Sequence, residues 1–374
     1  MARHRYVFAD LRTDRTITEL ELSGVTYDRR IIQPGSFRGT LPIPNASVAE
    51  RARKIQPGRT VCHVYRDADI WGSYVIWQVV PRSDERGRIT LELRGATLES
   101  YFHRREIRAR LDYPATAQVA IARDLIARMQ SRPEGNIGLT TPTRPGASDG
   151  ASMTRSYRRS EAATYGKRLE ELASALDGFE YMIRTYVDPG TARRVREWVA
   201  AVPRLGDPSG DHVFTQPGNV ITWSYPADAT VGATSWQARG DKVQSASGEG
   251  EPLMSEVFEA TALLDDGWPL LDATRDYTSE RDRNALDGYA RWWSQTRSGV
   301  VGIPQVTVRL GASAGFTPNA LGDRARLVLS NPWFPVTDRA PTFTKSWRVV
   351  GIEVTPASRQ DGRERAVLIF EESS

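Results

Sequence analysis

One strand–turn–strand signature occurs twice in this chain, once near each end, and it limits the available folds more than any other feature. The first copy reads WGSYVIWQVVPRSDERGRITLEL (residues 71–93) and the second WRVVGIEVTPASRQDGRERAVLIF (residues 347–370). Each opens with a Trp, places an Ile five residues on (Ile76, Ile352) and follows a β-rich run to a Pro. From that Pro the spacing is the same: Pro81, Ser83, Gly87 and Arg88 against Pro356, Ser358, Gly362 and Arg363. A second apolar run follows each Gly-Arg. Runs of β-formers separated by turn residues read as hairpins, so two copies of one unit predict two related β-domains in one chain. Such a duplication points away from an enzyme pocket and toward a ring.

The intervening sequence gives the order of the parts. Residues 1–105 read mainly as strands (ITELELSGV, SFRGTLPI, TVCHVYR, SYVIWQVV, ITLELRG), with a turn at Asp67-Ala68-Asp69. One short helix, ASVAERARKI, is opened by Asn45 and stopped by Pro57-Gly58. This is the pattern of a small antiparallel barrel.

Residues 106–205 are α+β. Val119, Ala122, Ile126 and Met129 recur at helical spacing, with Thr116 as N-cap. A polar, exposed loop is expected over residues 131–152, of a composition that permits ordering only on assembly. Leu169, Leu172, Ala173 and Leu176 mark a second helix ended by Gly178. FEYMIRTYV and RRVREWVAAV flank the turn Asp188-Pro189-Gly190.

Residues 206–374 return to strands, among them NVITWSY, TSWQARG, QVTVRLGA and RARLVLS. A helical insertion around residues 279–297 follows Ser279, carries Leu286, Tyr289, Ala290 and Trp293 on one face, and stops at Gly299. The expected fold class is α+β, mainly β: two antiparallel β-barrels with an α+β insert between them and a helical insertion in the second barrel.

Composition excludes several functions. A 374-residue chain with 40% hydrophobic residues and 10 Trp supports real cores. No stretch approaches the roughly 18 consecutive apolar residues of a membrane helix, and the N-terminus MARHRYVFADL lacks the h-region of an export signal. No membrane anchor is expected. Cys62, the only cysteine, rules out an intrachain disulfide and any Cys-based metal cluster, and its VCHVY setting reads as an inert core thiol. His4, His63, His103 and His212 show no ligand pairing. The net charge of +4 is carried almost wholly by Arg, an excess that codon bias also produces. Acidic residues are interspersed along the sequence and no basic stripe is visible, which argues against nucleic-acid binding as the primary role.

The local motifs that suggest chemistry have plainer readings. Asp265-Asp266 and Glu371-Glu372 are adjacent carboxylates, whereas a glycosidase pair faces across a substrate, so solvated surface charge is the better account. Asp207, Asp211 and His212 in DPSGDH resemble a calcium loop superficially but lack its alternating ligands and distal Glu. Ser313 sits in Gly311-Ala312-Ser313-Ala314-Gly315, which fits GxSxG. Phe316-Thr317-Pro318 disfavours the helix that must follow, and no His lies beyond His212. No Walker-type or dinucleotide-binding glycine motif occurs. Trp292-Trp293 can stack on a sugar, but Trp293 falls on the apolar face of its helix, where core packing or a subunit contact is the simpler role. Trp223, Trp236, Trp333 and Trp347 read as barrel core or interface anchors. No catalytic, cofactor-binding or metal-binding residues are therefore assigned, and no enzyme or cofactor is expected.

The chain resembles the tail hub proteins (minor tail or baseplate hub proteins) of long-tailed bacteriophages infecting actinobacteria. The resemblance is carried by VYRDADIWGSYVIWQVV, LRGATLESYFHRR, YGKRLEELASALDGFEYMIR and LGDRARLVLSNPWF…SWRVVGIEVTP…ERAVLIFEE, and it covers nearly the whole chain. It implies two barrels similar to tail-tube subunits, within residues 1–105 and 206–374, around an α+β domain. It also implies a homotrimeric ring whose six barrels face a hexameric tube while its far side keeps threefold symmetry for a spike or fibre. Implied partners are further copies of the chain, the distal tail or tube ring, spike, fibre and other tail-tip proteins, and the tape-measure protein, with DNA only in transit through the channel. The implied location is the virion tail tip, assembled in the host cytoplasm. The chain stops at Glu372-Ser373-Ser374 after its last strand, so no appended lytic region is expected. Tube lumens are often acidic, and a net basic chain departs from that. Two readings stay open beside the hub: a tail-associated cell-wall hydrolase, and a distal tail or tube ring protein. A contractile injection device could use a similar hub.

Overall fold

The structure is a computed structural model of the 374-residue chain. It describes all residues except 1, 145, 176, 208, 244–249, 278–279, 312–314, 359–361 and 372–374. Leu176, Ser279, Ser313 and Glu372, singled out above, lie outside the described residues. The chain forms two compact units. Unit 1 comprises Met1–Thr222 and Val306–Ile369, and unit 2 comprises Trp223–Gln305 and Phe370–Ser374.

The chain is mainly β, as expected. Its N-terminal part supplies β1 (His4–Asp10), β2 (Thr16–Glu19), β3 (Ser23–Arg30), β4 (Ser36–Ile43), β5 (Thr60–Arg66), β6 (Asp69–Ser83) and β7 (Ile89–Thr97). These pair antiparallel in the order β3-β4-β7-β6-β5-β1-β2. Beyond β3 the same sheet continues through Phe343–Thr355, Arg365–Phe370, Gln305–Val308 and Val220–Ser224. The strand Arg324–Leu329 pairs with the first half of Phe343–Thr355 and, on its other side, runs parallel to Asp211–Gln216.

Two antiparallel β-barrels were expected; 13 of the described strands instead join in one sheet that is not closed into barrels. The two halves meet through β3: its Tyr27–Arg30 pair with Val354–Gly351 while its other edge is taken by β4.

The two sequence repeats occupy related places in this sheet. The first is the β6–β7 hairpin and the second is the pair Phe343–Thr355 and Arg365–Phe370. Read along the strand order, each repeat presents its second strand, then its first, and the strand after that is β3 in one case and β5 in the other. The intervening pairs are all antiparallel, so β6 and Phe343–Thr355 run in the same direction. The repeats are therefore in tandem along the sheet, with the same order and the same strand direction. Gly87 and Gly362 both have positive φ, 70° and 51°, a region glycine enters without a Cβ penalty.

One core cluster of unit 1 lies between the sheet and the α+β segment. α1 (Ala46–Arg53) starts as predicted, with the Asn45 side chain accepting the Val48 N–H at 3.0 Å. α2 (Gln118–Met129) buries Val119, Ala122, Ile126 and Met129 against Val61, Val75, Leu98, Phe102, Tyr181 and Trp198. α3 (Tyr165–Ala173) adds Leu169, Leu172 and Ala173 to the same cluster. Each Val, Leu, Ile or Met side chain among these contributes on the order of 1.5–3 kcal/mol when fully buried.

The N-terminal boundary of α2 differs from expectation. Thr116 is not a cap but part of the strand Leu111–Ala117, paired with Met153 of Ser152–Tyr157, and Ala117 caps the helix without a side-chain bond. The expected 131–152 loop contains the strand Leu139–Thr140, which runs parallel to Arg196–Glu197. The predicted hairpin around Asp188-Pro189-Gly190 is present as Glu180–Val187 and Arg194–Ala201. α3 ends at Ser174, before Gly178.

Unit 2 is a small α+β body. Ser235–Val243 is its central strand, flanked antiparallel by Glu251–Met254 and Phe258–Glu259 and parallel by Asp272–Asp276. α4 (Thr261–Asp265) is a short turn of helix. α5 (Arg283–Thr296) is capped by Asp282 and packs Leu286 and Ala290 on Ala238. The helix expected around residues 279–297 is present and packs on a small sheet of residues 235–276; that this segment forms a separate compact unit was not legible. No helix among the described residues is long and apolar enough to cross a membrane.

Candidate functional site

The candidate chemical residues do not converge. Asp207 accepts hydrogen bonds from the Ser209 amide and hydroxyl, Asp211 pairs with Arg326 at 3.0 Å, and His212 meets Asp323 at 3.0 Å. Each ligand of the supposed calcium loop thus faces a different partner. Among the described residues no group of three or more His, Cys, Asp and Glu side chains is placed to hold a metal. Asp265 and Asp266 end α4 and are exposed. Trp293 stacks on Trp236 at 5.3 Å and donates to the Tyr277 hydroxyl, while Trp292 is 40% exposed. Trp236 and Trp347 are buried, Trp223 is half-buried, and Trp333 is 79% exposed at a loop tip.

One constellation was missed by sequence reading. His63 of β5 bonds Ser73 of β6 through Nδ1 at 2.8 Å and Asp14 through Nε2 at 2.9 Å. Asp14 also accepts from Arg194 and Arg196, each at 2.7 Å. The Ser–His–Asp composition suggests hydrolysis, but the surroundings suggest a clamp. His63 and Ser73 are buried, and the gap beside Ser73 has no room for a water molecule. Arg196 also donates to the carbonyls of Leu11 and Ile137, tying β1 and the α2 region to the strand Arg194–Ala201.

Burial drives the His63 pKa down to about 4, against the opposing pull of the Asp14 bond, so the ring is neutral near pH 7. Burial alone would raise Asp14. The bond from His63 and the charges of Arg196 and Arg194 outweigh it and hold the carboxyl at about 2. The available signal was the presence of polar His63 and Ser73 inside two otherwise apolar strands.

A second set of contacts ties the second repeat to distant parts of the chain. Arg66, at the end of β5, forks onto Glu364 with both bonds at 2.8 Å and lies 4.5 Å over the Trp71 ring. Arg348 makes a bidentate pair with Glu180 and donates to the Leu205 carbonyl. At that junction Gly322 approaches the backbone so closely that a Cβ would lie 2.2 Å from the Leu205 oxygen.

The surface is polarised by unit. Unit 2 has 7 Lys and Arg against 15 Asp and Glu, net −8, which leaves 43 against 31, net +12, for unit 1. Charges that look interspersed along the chain are thus segregated between compact bodies. Unit 1 also carries an open cleft of about 650 Å³ whose lining includes Arg104, Arg105, Arg108, Arg128 and Arg132 against Glu106 and Glu134.

Comparison with known proteins follows the fold closely. A tail protein from Neisseria meningitidis aligns over 98% of this chain and 97% of its own, with a TM-score of 0.60 at 13% identity. The 43 kDa tail protein of prophage MuSo2 from Shewanella oneidensis covers 98% of both chains, also at 0.60, with 11% identity. The fold is that of phage tail proteins. It extends to the Francisella PdpA–VgrG complex, where all of this chain matches 58% of the other at a TM-score of 0.57 and 7% identity. No protein-family model and no curated protein sequence matches the chain.

Proposed function

We propose that this chain is a structural virion protein of the tail tip: a hub whose three copies form a pseudo-sixfold ring between the hexameric tail tube and a threefold spike or fibre. The observation that carries the proposal is the tandem placement of the two hairpin repeats in one sheet, in the same order and direction. A ring of three such chains offers six similar hairpins to a six-membered ring, and a closed ring with heterologous contacts is the simplest use of a chain carrying two tandem units. The tail-protein fold supports this reading.

On this account residues 1–105 and 206–374 carry the two tube-like halves, and residues 106–205 are the α+β module between them. The partners are the tube or distal tail ring above, spike, fibre and tape-measure proteins around the tip, and DNA only in transit. The sequence resemblance suggests a long-tailed phage of actinobacteria. We further propose that the chain has no catalytic role, because in the Ser–His–Asp set seen among the described residues His63 and Ser73 are buried and Asp14 is held by two arginines.

Native mass spectrometry of the purified chain tests the stoichiometry: a trimer is expected, and a stable hexamer or dimer sinks the proposal. A zymogram on cell-wall substrate tests the second claim, and a cleared band overturns it.

A further inference from the structure

We infer that the ring closes by docking the acidic unit 2 of one copy onto the arginine cleft of unit 1 in the next. The inference rests on the ring reading and supplies its interface. Three observations point to it.

The first is charge. A net of −8 on one body and +12 on the other is self-complementary in a head-to-tail contact, whereas like faces would repel.

The second is apolar exposure. Five of the ten large, exposed hydrophobic side chains among the described residues (Val231, Val257, Leu270, Trp292 and Val300) belong to unit 2, a minor part of the chain. Val257 (51% exposed) and Leu270 (56%) are close in sequence to Glu259, Asp265, Asp266 and Asp272, all exposed. No ion pair is seen for these four among the described residues. Exposed apolar side chains and exposed, unpaired carboxylates in one small body suit a protein interface better than a free surface.

The third is the cleft. Arg108 and Arg132 reach only Glu106 and Glu134, two residues away and at 3.6 Å, and Arg104 and Arg105 contact the rings of Trp77 and Tyr101. Arg104 and Arg108 are exposed, so the cleft presents guanidinium groups suited to bidentate capture of carboxylates. The matching carboxylates are those of the segment around α4, and the matching partner is a second copy of this chain.

Charge reversal tests the contact on the full chain. Sedimentation velocity at low salt is run on the wild type, on Asp265→Lys/Asp266→Lys, on Arg104→Glu/Arg108→Glu, and on the chain carrying all four changes. Thermal melts confirm that each variant folds. The wild type is expected to form the ring, each double variant to weaken assembly by roughly tenfold or more, and the fourfold variant to recover it. Double variants that assemble like the wild type overturn the interface and leave the ring reading standing. Loss of assembly that the fourfold variant does not recover also overturns the interface. A wild type that stays monomeric overturns both.

Discussion

Arg66 and Glu364 meet through two 2.8 Å bonds across 298 residues of sequence, joining the strand before the first repeat to the second repeat itself. Glu364 is 9% exposed and Arg66 20% exposed, and His4 approaches the same carboxylate at 3.5 Å. The pair ties β5 to the second repeat.

Removing one partner leaves the other's charge largely buried. Glu364→Ala and Arg66→Ala are each expected to lower unfolding stability by about 3 kcal/mol, the scale for breaking a buried pair. The double variant should cost far less than the sum of the two. Urea melts of the four proteins measure this coupling, and strictly additive losses would show that the two side chains do not interact.

Acid should loosen the clamp at His63. The folded pKa of about 4 lies below the ordinary histidine value of 6.5, so the unfolded chain binds the proton more readily. Stability is therefore fully present above about pH 6.5 and falls as pH drops toward 4, by roughly 3 kcal/mol if His63 alone is counted. Asp14, lowered from 3.8 to about 2, adds a further loss below pH 4. Melts of the wild type and His63→Gln between pH 7 and pH 4 check this. The variant should be less stable at pH 7 and flatter across the range, and parallel slopes would exclude His63 as the source.

Glycine substitutions separate turn strain from close approach. Gly87 and Gly362 have positive φ, and a Cβ at either would meet nothing within 4 Å, so Ala there should cost about 1 kcal/mol from backbone strain alone. Gly322 has φ of 102° and the Leu205 oxygen at 2.2 Å from where a Cβ would stand, so Gly322→Ala must also move backbone and should cost several times more. Chemical denaturation of the three variants ranks them, and equal losses would contradict the packing at the Leu205–Gly322 junction.

The elements governed by local chemistry were legible in the sequence. Asn45 fixes α1 through a side-chain cap, and Asp188-Pro189-Gly190 fixes its hairpin. Elements set by distant partners were not legible. Thr116 reads as a helix N-cap on paper, but pairing with Met153 holds it in a strand. Leu139–Thr140 is a strand only because Arg196–Glu197 lies beside it. The open sheet depends on β3 meeting Val354, a contact between opposite ends of the chain that no local pattern encodes. The clamp at His63 was hidden for the same reason: Asp14, Ser73, Arg194 and Arg196 come from separate parts of the chain, and only the polar residues inside apolar strands hinted at it.

The central claim is that one chain supplies two equivalent units to a sixfold neighbour. A map of an assembled tail tip, at a resolution that counts copies and traces strands, tests it most directly. The account predicts three copies of this chain, with residues 71–93 and 347–370 alternating around the ring at six equivalent positions. Six copies, or a ring in which only one of the two hairpins faces the tube, would contradict it.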